Sequence, residues 1–129
     1  MLQKLDTIEV NDGLCKYCLR GRYSLVEAVD LISRAIAHSR DSGVTRLLID
    51  ATGIEDLPIP TLIDRFLMVE DWAQAAQGNV VVALVVAARY IHPRKFGVTV
   101  AAHFGLICDV YTSEAAALKW LREGEIAAE

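Results

Sequence analysis

The sequence lacks long hydrophobic runs, an excess of positive charge and an even set of cysteines. Its longest apolar run, residues 80–88, is far too short to span a membrane. The N-terminal residues MLQKLDTIEV lack the apolar core of a signal peptide. The net charge of -4 argues against a general nucleic-acid binder. We therefore expect a cytoplasmic protein with no membrane insertion and no nucleic-acid partner.

Cysteine is also scarce, with three residues in the chain. Cys15 and Cys18 form a CxxC pair, but the alternating pattern around them predicts a strand, on which residues three apart point to opposite faces. A zinc site would need a second pair of ligands, which Cys108 alone does not supply. We predict three structural cysteines and no metal.

Catalytic motifs are missing as well. The sequence contains no GxSxG elbow, no GxxxxGK[ST] loop and no GxGxxG fingerprint. Its three histidines lie in different predicted elements, without metal-ligand spacing. Asp50 and Asp56 could form an acid–base pair, but nothing in the sequence fixes their geometry. We expect a protein that is not an enzyme, with no catalytic residues and no cofactor.

The residues that are present predict a single α/β domain, residues 1–129, in which 53% of residues are hydrophobic. Two short strands joined by Asn11-Asp12-Gly13 predict an antiparallel hairpin. Helices then alternate with buried strands in the order ββαβαβαβα, which predicts a mostly parallel sheet. The strand within residues 79–87 is the most hydrophobic and is expected to be central. Residues 95–105 combine β-branched side chains with the position of a crossover helix, and we assign them to a helix.

Cap residues mark the predicted helix starts. Ser24 with Glu27 forms a capping box, Thr61 precedes an amphipathic helix as its N-cap, and Ser113 caps the final helix. On that helix we predict an inward apolar face formed by Leu62, Ile63, Phe66, Leu67, Ala73 and Ala76. Met68 and Val69, close to Trp72, form a second, partly apolar face that predicts a homodimer contact.

Candidate site residues follow the predicted strands, because ligands of open α/β sheets bind beyond the carboxyl ends of the strands. The strand of residues 44–50 ends at Asp50, with Thr52 just beyond it. The next strand is followed by Arg89, Arg94 and Lys95, which could hold an anion ahead of a helix N-terminus. Solvated loops are the alternative interpretation of both segments.

Three segments in this order resemble the SpoIIAA-like (STAS/Sec14-like) bacterial domain family. They are LLIDATGIEDLP, VVALVVAARYIHPRKFGVTVAAHFG and DVYTSEAAALKWL, and the resemblance covers residues 7–122. It implies parallel strands wound with helices, as in anti-anti-sigma factors. Those relatives are not enzymes: they bind a partner kinase and are switched by phosphorylation of a hydroxyl before a helix, within a DSSG-like signature. This chain has Pro58-Ile59-Pro60-Thr61 in that place, so Thr61 is the hydroxyl that could inherit the role.

Two functional hypotheses follow. The first is a non-catalytic, STAS-like regulatory or protein-interaction module, a homodimer with an unknown protein partner. Its switch or contact loop would run from Asp50 through Thr52 to Thr61. The alternative is a binder of a small apolar or anionic ligand, as the Sec14-like resemblance implies, with Arg89, Arg94 and Lys95 meeting a lipid-like head group.

Overall fold

A computed structural model describes residues 9–11 and 13–127 of the chain. Its strands are β1 (Glu9–Asn11), β2 (Leu14–Arg22), β3 (Arg46–Glu55), β4 (Val81–Val85) and β5 (Cys108–Tyr111). Its α-helices are α1 (Leu25–Asp41), α2 (Leu62–Ala76), α3 (Phe96–His103) and α4 (Glu114–Ala127), and a short 3₁₀ turn (Ala88–Tyr90) follows β4.

The strands form one sheet in the order β1-β2-β3-β4-β5. β1 pairs antiparallel with β2, and the four strands from β2 to β5 pair in parallel. This confirms the predicted α/β class with a mostly parallel sheet. Thr7, Ile8 and Asp12, which the sequence assigns to the hairpin, lie outside the described residues. β4, expected to be central, lies between β3 and β5, while β3 holds the middle of the sheet.

Helices cover both faces of the sheet. Leu47 and Ile49 of β3 belong to the buried cluster that includes residues of α1, α2 and α3. Leu48 between them belongs to a second cluster with Ala117 and Leu121 of α4. Successive strand residues point to opposite faces, so one strand serves both clusters. Three helices therefore pack on one face and α4 on the other.

Local capping starts α1 as the sequence predicts. The Ser24 hydroxyl accepts a hydrogen bond from the Glu27 amide at 3.1 Å, and the Glu27 carboxylate accepts one from the Ser24 amide at 2.9 Å. The two bonds satisfy amides that have no partner within the helix. α4 also starts as predicted, with the Ser113 hydroxyl accepting from the Ala116 amide at 3.2 Å.

β3 is longer than the sequence predicts, and the assignment of its end to Asp50 is wrong. The strand continues to Glu55 because β2 keeps pairing with it beyond an irregularity between Cys18 and Arg20. After that shift in register, Arg20 lies opposite Gly53. Asp50 and Thr52 are therefore strand residues, and the loop before α2 starts only after Glu55.

Replacing Gly53 with alanine tests the close approach at this irregularity. The new Cβ would lie 2.9 Å from Cγ of Arg20 and 3.2 Å from the carbonyl oxygen of Leu19. The carbonyl oxygen belongs to the paired backbone of β2 and can move little, so we expect a loss of about 1–3 kcal/mol in the free energy of unfolding, measured by urea denaturation.

Gly97→Ala is the matched control for that substitution. Its Cβ would meet nothing closer than a methyl group of Val69 at 3.9 Å. Because alanine favours the helix over glycine, we expect a gain of up to about 1 kcal/mol at Gly97. Equal effects of the two variants on stability would contradict the strand extension as described.

Candidate functional site

Asp50 and Thr52 form a local pair on β3. Oδ1 of Asp50 accepts hydrogen bonds from the amide of Thr52 at 3.0 Å and from its hydroxyl at 2.6 Å. An aspartate often bonds backbone two residues ahead in this way. The Asp50 carboxylate therefore already accepts two hydrogen bonds within β3, which supports a structural role for both residues.

Thr61 is the N-cap of α2, as the sequence predicts. Its hydroxyl accepts from the Asp64 amide at 3.0 Å, while the Asp64 carboxylate accepts from the Thr61 amide at 2.9 Å. The residue is exposed and extended, with φ -76° and ψ 173°. Thr61 therefore sits at an accessible helix start, and its side chain already serves the backbone.

An ion pair and a hydrogen bond hold the loop between β3 and α2 against neighbouring segments. Asp56 at its start has φ 60° and forms an ion pair with Arg22 at 2.9 Å. The hydroxyl of Tyr90 donates to the carbonyl of Leu57 at 2.7 Å, and Arg65 of α2 donates to the carbonyl of Tyr90 at 3.0 Å. These long-range bonds tie the loop and the first turns of α2 to the segment that follows β4.

The three cations predicted to bind an anion have different surroundings. Nζ of Lys95 forms an ion pair with Asp109 at 2.7 Å. The guanidinium of Arg89 lies over the ring of Tyr90, 4.7 Å from its centre, whereas Arg94 is exposed. Only the Lys95 charge is met by a carboxylate among these contacts. The three side chains thus have separate contacts, and their joint binding of an anion stays a prediction.

A small apolar cavity lies between the sheet and the helices α1, α2 and α3. Its volume is about 100 Å³, and its wall includes Ile32, Trp72, Val82 and Lys95. Pockets for small molecules usually enclose roughly 300–1,000 Å³. The cavity is too small for a lipid-like molecule, so it gives no support to the ligand-binding alternative.

The first half of α2 turns the opposite way from the sequence prediction, whereas Ala76 near its end is buried as predicted. Val69, Trp72 and Ala76 are buried against the core. The residues assigned to the inward face are largely outside, with Leu62 51%, Ile63 71%, Phe66 43% and Leu67 54% exposed. Both stripes are apolar, so periodicity alone could not decide between them.

A hydrogen bond supports the rotation of α2 about its own axis that the structure shows. The indole nitrogen of Trp72 donates to the carbonyl of Val29 on α1 at 3.1 Å. Because a buried indole N–H needs an acceptor, this contact favours turning the Trp72 side of the helix inward. We call the opposite side, formed by Leu62, Ile63, Phe66 and Leu67, the exposed α2 face.

The exposed α2 face has apolar neighbours. Phe66 meets Phe104, at the end of α3, edge to face with ring centres 5.4 Å apart. Phe104 and Ile59 are themselves exposed, at 40% and 49%. Large apolar side chains thus share one surface formed by α2, the preceding loop and the end of α3. Sequence reasoning placed Phe66 on the inward face and did not single out Ile59 or Phe104.

The chemistry of the remaining groups is limited. None of the three cysteines forms a disulfide bond. Within residues 9–11 and 13–127, no cluster of histidine, cysteine and carboxylate side chains could hold a metal ion. No helix in the same ranges is long and apolar enough to cross a membrane.

Cys108 is the cysteine whose acidity the fold changes most clearly. Burial, together with the smaller effect of the neighbouring Asp109 carboxylate, raises the pKa of its thiol from 9.0 to about 12. The thiolate is the reactive form of cysteine. At neutral pH this side chain therefore stays protonated and poorly nucleophilic.

Comparison with known proteins identifies the fold. No protein-family model matches the sequence, and no curated protein matches it significantly. Among the solved structures, an anti-sigma factor antagonist from Mycobacterium paratuberculosis matches with a TM-score of 0.56 at 18% identity. The match covers 89% of this chain and 91% of the other. The chain has the fold of that antagonist, which confirms the predicted SpoIIAA-like (STAS-like) architecture.

Removing the N-cap hydroxyl tests the start of α2. We expect Thr61→Ala to lower the free energy of unfolding by about 1 kcal/mol, because the Asp64 amide loses its acceptor. Thr61→Ser keeps the acceptor and should stay close to the wild type. Urea denaturation of the three proteins gives the comparison, and equal losses in both variants would argue against the capping role.

Alkylation tests the protonation state of Cys108. At pH 8 the raised pKa keeps its thiol protonated in the native protein, so we expect slow reaction with iodoacetamide. The rate should rise with pH toward 12, and unfolding in guanidinium should make the residue react quickly at pH 8. Peptide mass spectrometry measures the modified fraction. Fast native labelling at pH 8 would contradict the protonated state.

Proposed function

We propose that this chain is a non-catalytic regulatory module of the cytoplasm that acts by binding proteins through the exposed α2 face. The observation that carries the proposal is the solvent exposure of Leu62, Ile63, Phe66 and Leu67 in the first turns of one helix. Soluble proteins seldom keep contiguous apolar surfaces of this kind unless another molecule covers them.

The free energy available at this face supports a binding role. Burying one large apolar side chain completely is worth roughly 1.5–3 kcal/mol relative to leaving it exposed. Ile63, the most exposed of the four, has most of that energy still to gain on contact. A partner that covers the face would therefore find several adjacent anchors rather than one isolated side chain.

Rigidity of the surrounding backbone also supports the proposal. Thr61 caps α2, and Tyr90 and Arg65 tie the loop and the helix to the segment after β4. A surface held in one conformation loses less entropy when it binds. The loop of residues 56–61 would form the rim of the contact, and Asp50 and Thr52 would support it from within β3.

The structural neighbour is consistent with this role. That neighbour is an antagonist of an anti-sigma factor and so acts on another protein. We infer a role of the same general kind here. Phosphorylation of Thr61 stays a prediction. A phosphate there would lie beside the Asp64 carboxylate that accepts from the Thr61 amide, and the two negative charges would repel each other.

A second copy of the chain is the first partner to test. The sequence placed the homodimer contact on the side of Met68 and Val69, but Val69 and Trp72 are buried in the structure, so a dimer through α2 would instead use the exposed α2 face. An apolar patch can face its own copy across a twofold axis. We expect Ile63→Ser/Phe66→Ser to convert a dimer into a monomer while leaving the circular dichroism spectrum unchanged. Sedimentation velocity at several concentrations measures the oligomeric state.

Ile107→Ser is the control for general surface hydrophobicity, since Ile107 is 62% exposed and lies outside α2. It should leave association unchanged. If the wild type is monomeric, cross-linking in its own cells provides the second measurement. Retention of every cross-linked partner by the double variant would then contradict the assignment of the face.

A further inference from the structure

A groove of about 510 Å³ lies between α1 and α2, on the side of α2 that faces the start of α1. Its apolar wall is formed by Leu25, Val26, Val29, Leu67 and Met68. Val26 is 78% exposed, the highest value among the large exposed apolar side chains of the described residues. Leu67 belongs to both the groove and the exposed α2 face, so the two surfaces are continuous.

Carboxylates form the polar rim of the groove. Asp30 comes from α1, and Asp64, Glu70 and Asp71 come from α2. Gln74 is the remaining residue of the lining. None of the groove-lining residues in the described part of the chain is cationic. The surface thus combines an apolar floor with one sign of charge.

The rim carboxylates are only partly neutralised by the fold. Asp30 forms an ion pair with Arg34 of its own helix at 3.0 Å. The Asp64 carboxylate accepts a hydrogen bond from the amide of Thr61 at 2.9 Å, and the Asp71 carboxylate accepts one from the hydroxyl of Ser33 at 2.7 Å. These last two bonds are made with uncharged donors, so both negative charges remain at the rim.

We propose that this groove binds a basic amphipathic helix of a partner protein. An amphipathic helix places apolar residues at positions i, i+3 or i+4 and i+7 into such a floor. Cationic residues beside that stripe would meet the carboxylates of the rim. The lining residues of α2 span positions 64–74, about 15 Å of helix at 1.5 Å per residue, which matches roughly three turns of a bound helix.

Charge argues against the other occupants. Two copies joined through this groove by a twofold axis would set acidic rim against acidic rim, and like charges at an interface are unfavourable. Lipid head groups and nucleic acids would bring phosphates to the same carboxylates. The proposal rests on the proposed function and deepens it, because it names the chemistry of a protein partner on the flank of the exposed α2 face.

Two fluorescent peptides provide the test with the full chain. Both carry leucine at the same helical positions; one has lysine and the other glutamate at the remaining positions. Fluorescence anisotropy at low salt measures their affinities. We expect the lysine peptide to bind and the glutamate peptide not to bind. The affinity of the lysine peptide should fall as salt is added, since salt screens exposed charges.

Charge reversal at the rim locates the binding. We expect Glu70→Lys/Asp71→Lys to weaken the lysine peptide about tenfold or more, since two attractive contacts become repulsive. The single variant Glu70→Lys should show a smaller loss of the same sign. Its matched control is Glu123→Lys on α4, on the other side of the sheet, which makes the same change in net charge and should leave affinity unchanged.

The outcomes separate this inference from the proposed function. Failure of the lysine peptide to bind the wild type, or equal binding to the rim variant, would overturn the groove proposal. If Ile63→Ser/Phe66→Ser still abolished partner binding, the proposed function would stand without the groove. Equal weakening by Glu123→Lys would show attraction to net charge alone and would also overturn the groove.

Discussion

The burial of Trp72 against the core, with its indole hydrogen-bonded to the carbonyl of Val29, favours the surface that this protein presents. It couples α2 to α1 and favours one rotation of α2 about its axis. With Trp72 inward, Val69 and Ala76 follow it into the core, and Ile63 and Phe66 face solvent. The exposed α2 face and the acidic groove beside it both depend on this rotation.

Most of the fold could be predicted from local signals in the sequence, namely helix caps and the order of helices and strands. Ser24, Thr61 and Ser113 mark helix starts because each bonds an amide three residues away, and that bond needs no tertiary partner. The order of helices and buried strands likewise indicated a parallel sheet. These caps and the mostly parallel sheet were both confirmed, and together with the family resemblance they identified the architecture.

The site was less predictable because its contacts join distant positions. The end of β3 depends on pairing with β2 across the irregularity near Arg20. Lys95 was grouped with nearby arginines, yet its partner is Asp109, 14 residues further on. The rotation of α2 about its axis is supported by a hydrogen-bond acceptor that lies 43 residues before Trp72. Helical periodicity identified two apolar stripes, but only packing shows which of them is covered.

The last strand has a consequence for how the molecule can associate. β5 has four residues and forms an edge of the sheet, and its Asp109 carries a charge held by Lys95. A short, charged edge is a poor template for backbone pairing with another chain. Strand addition and edge-to-edge aggregation are therefore both disfavoured along this border.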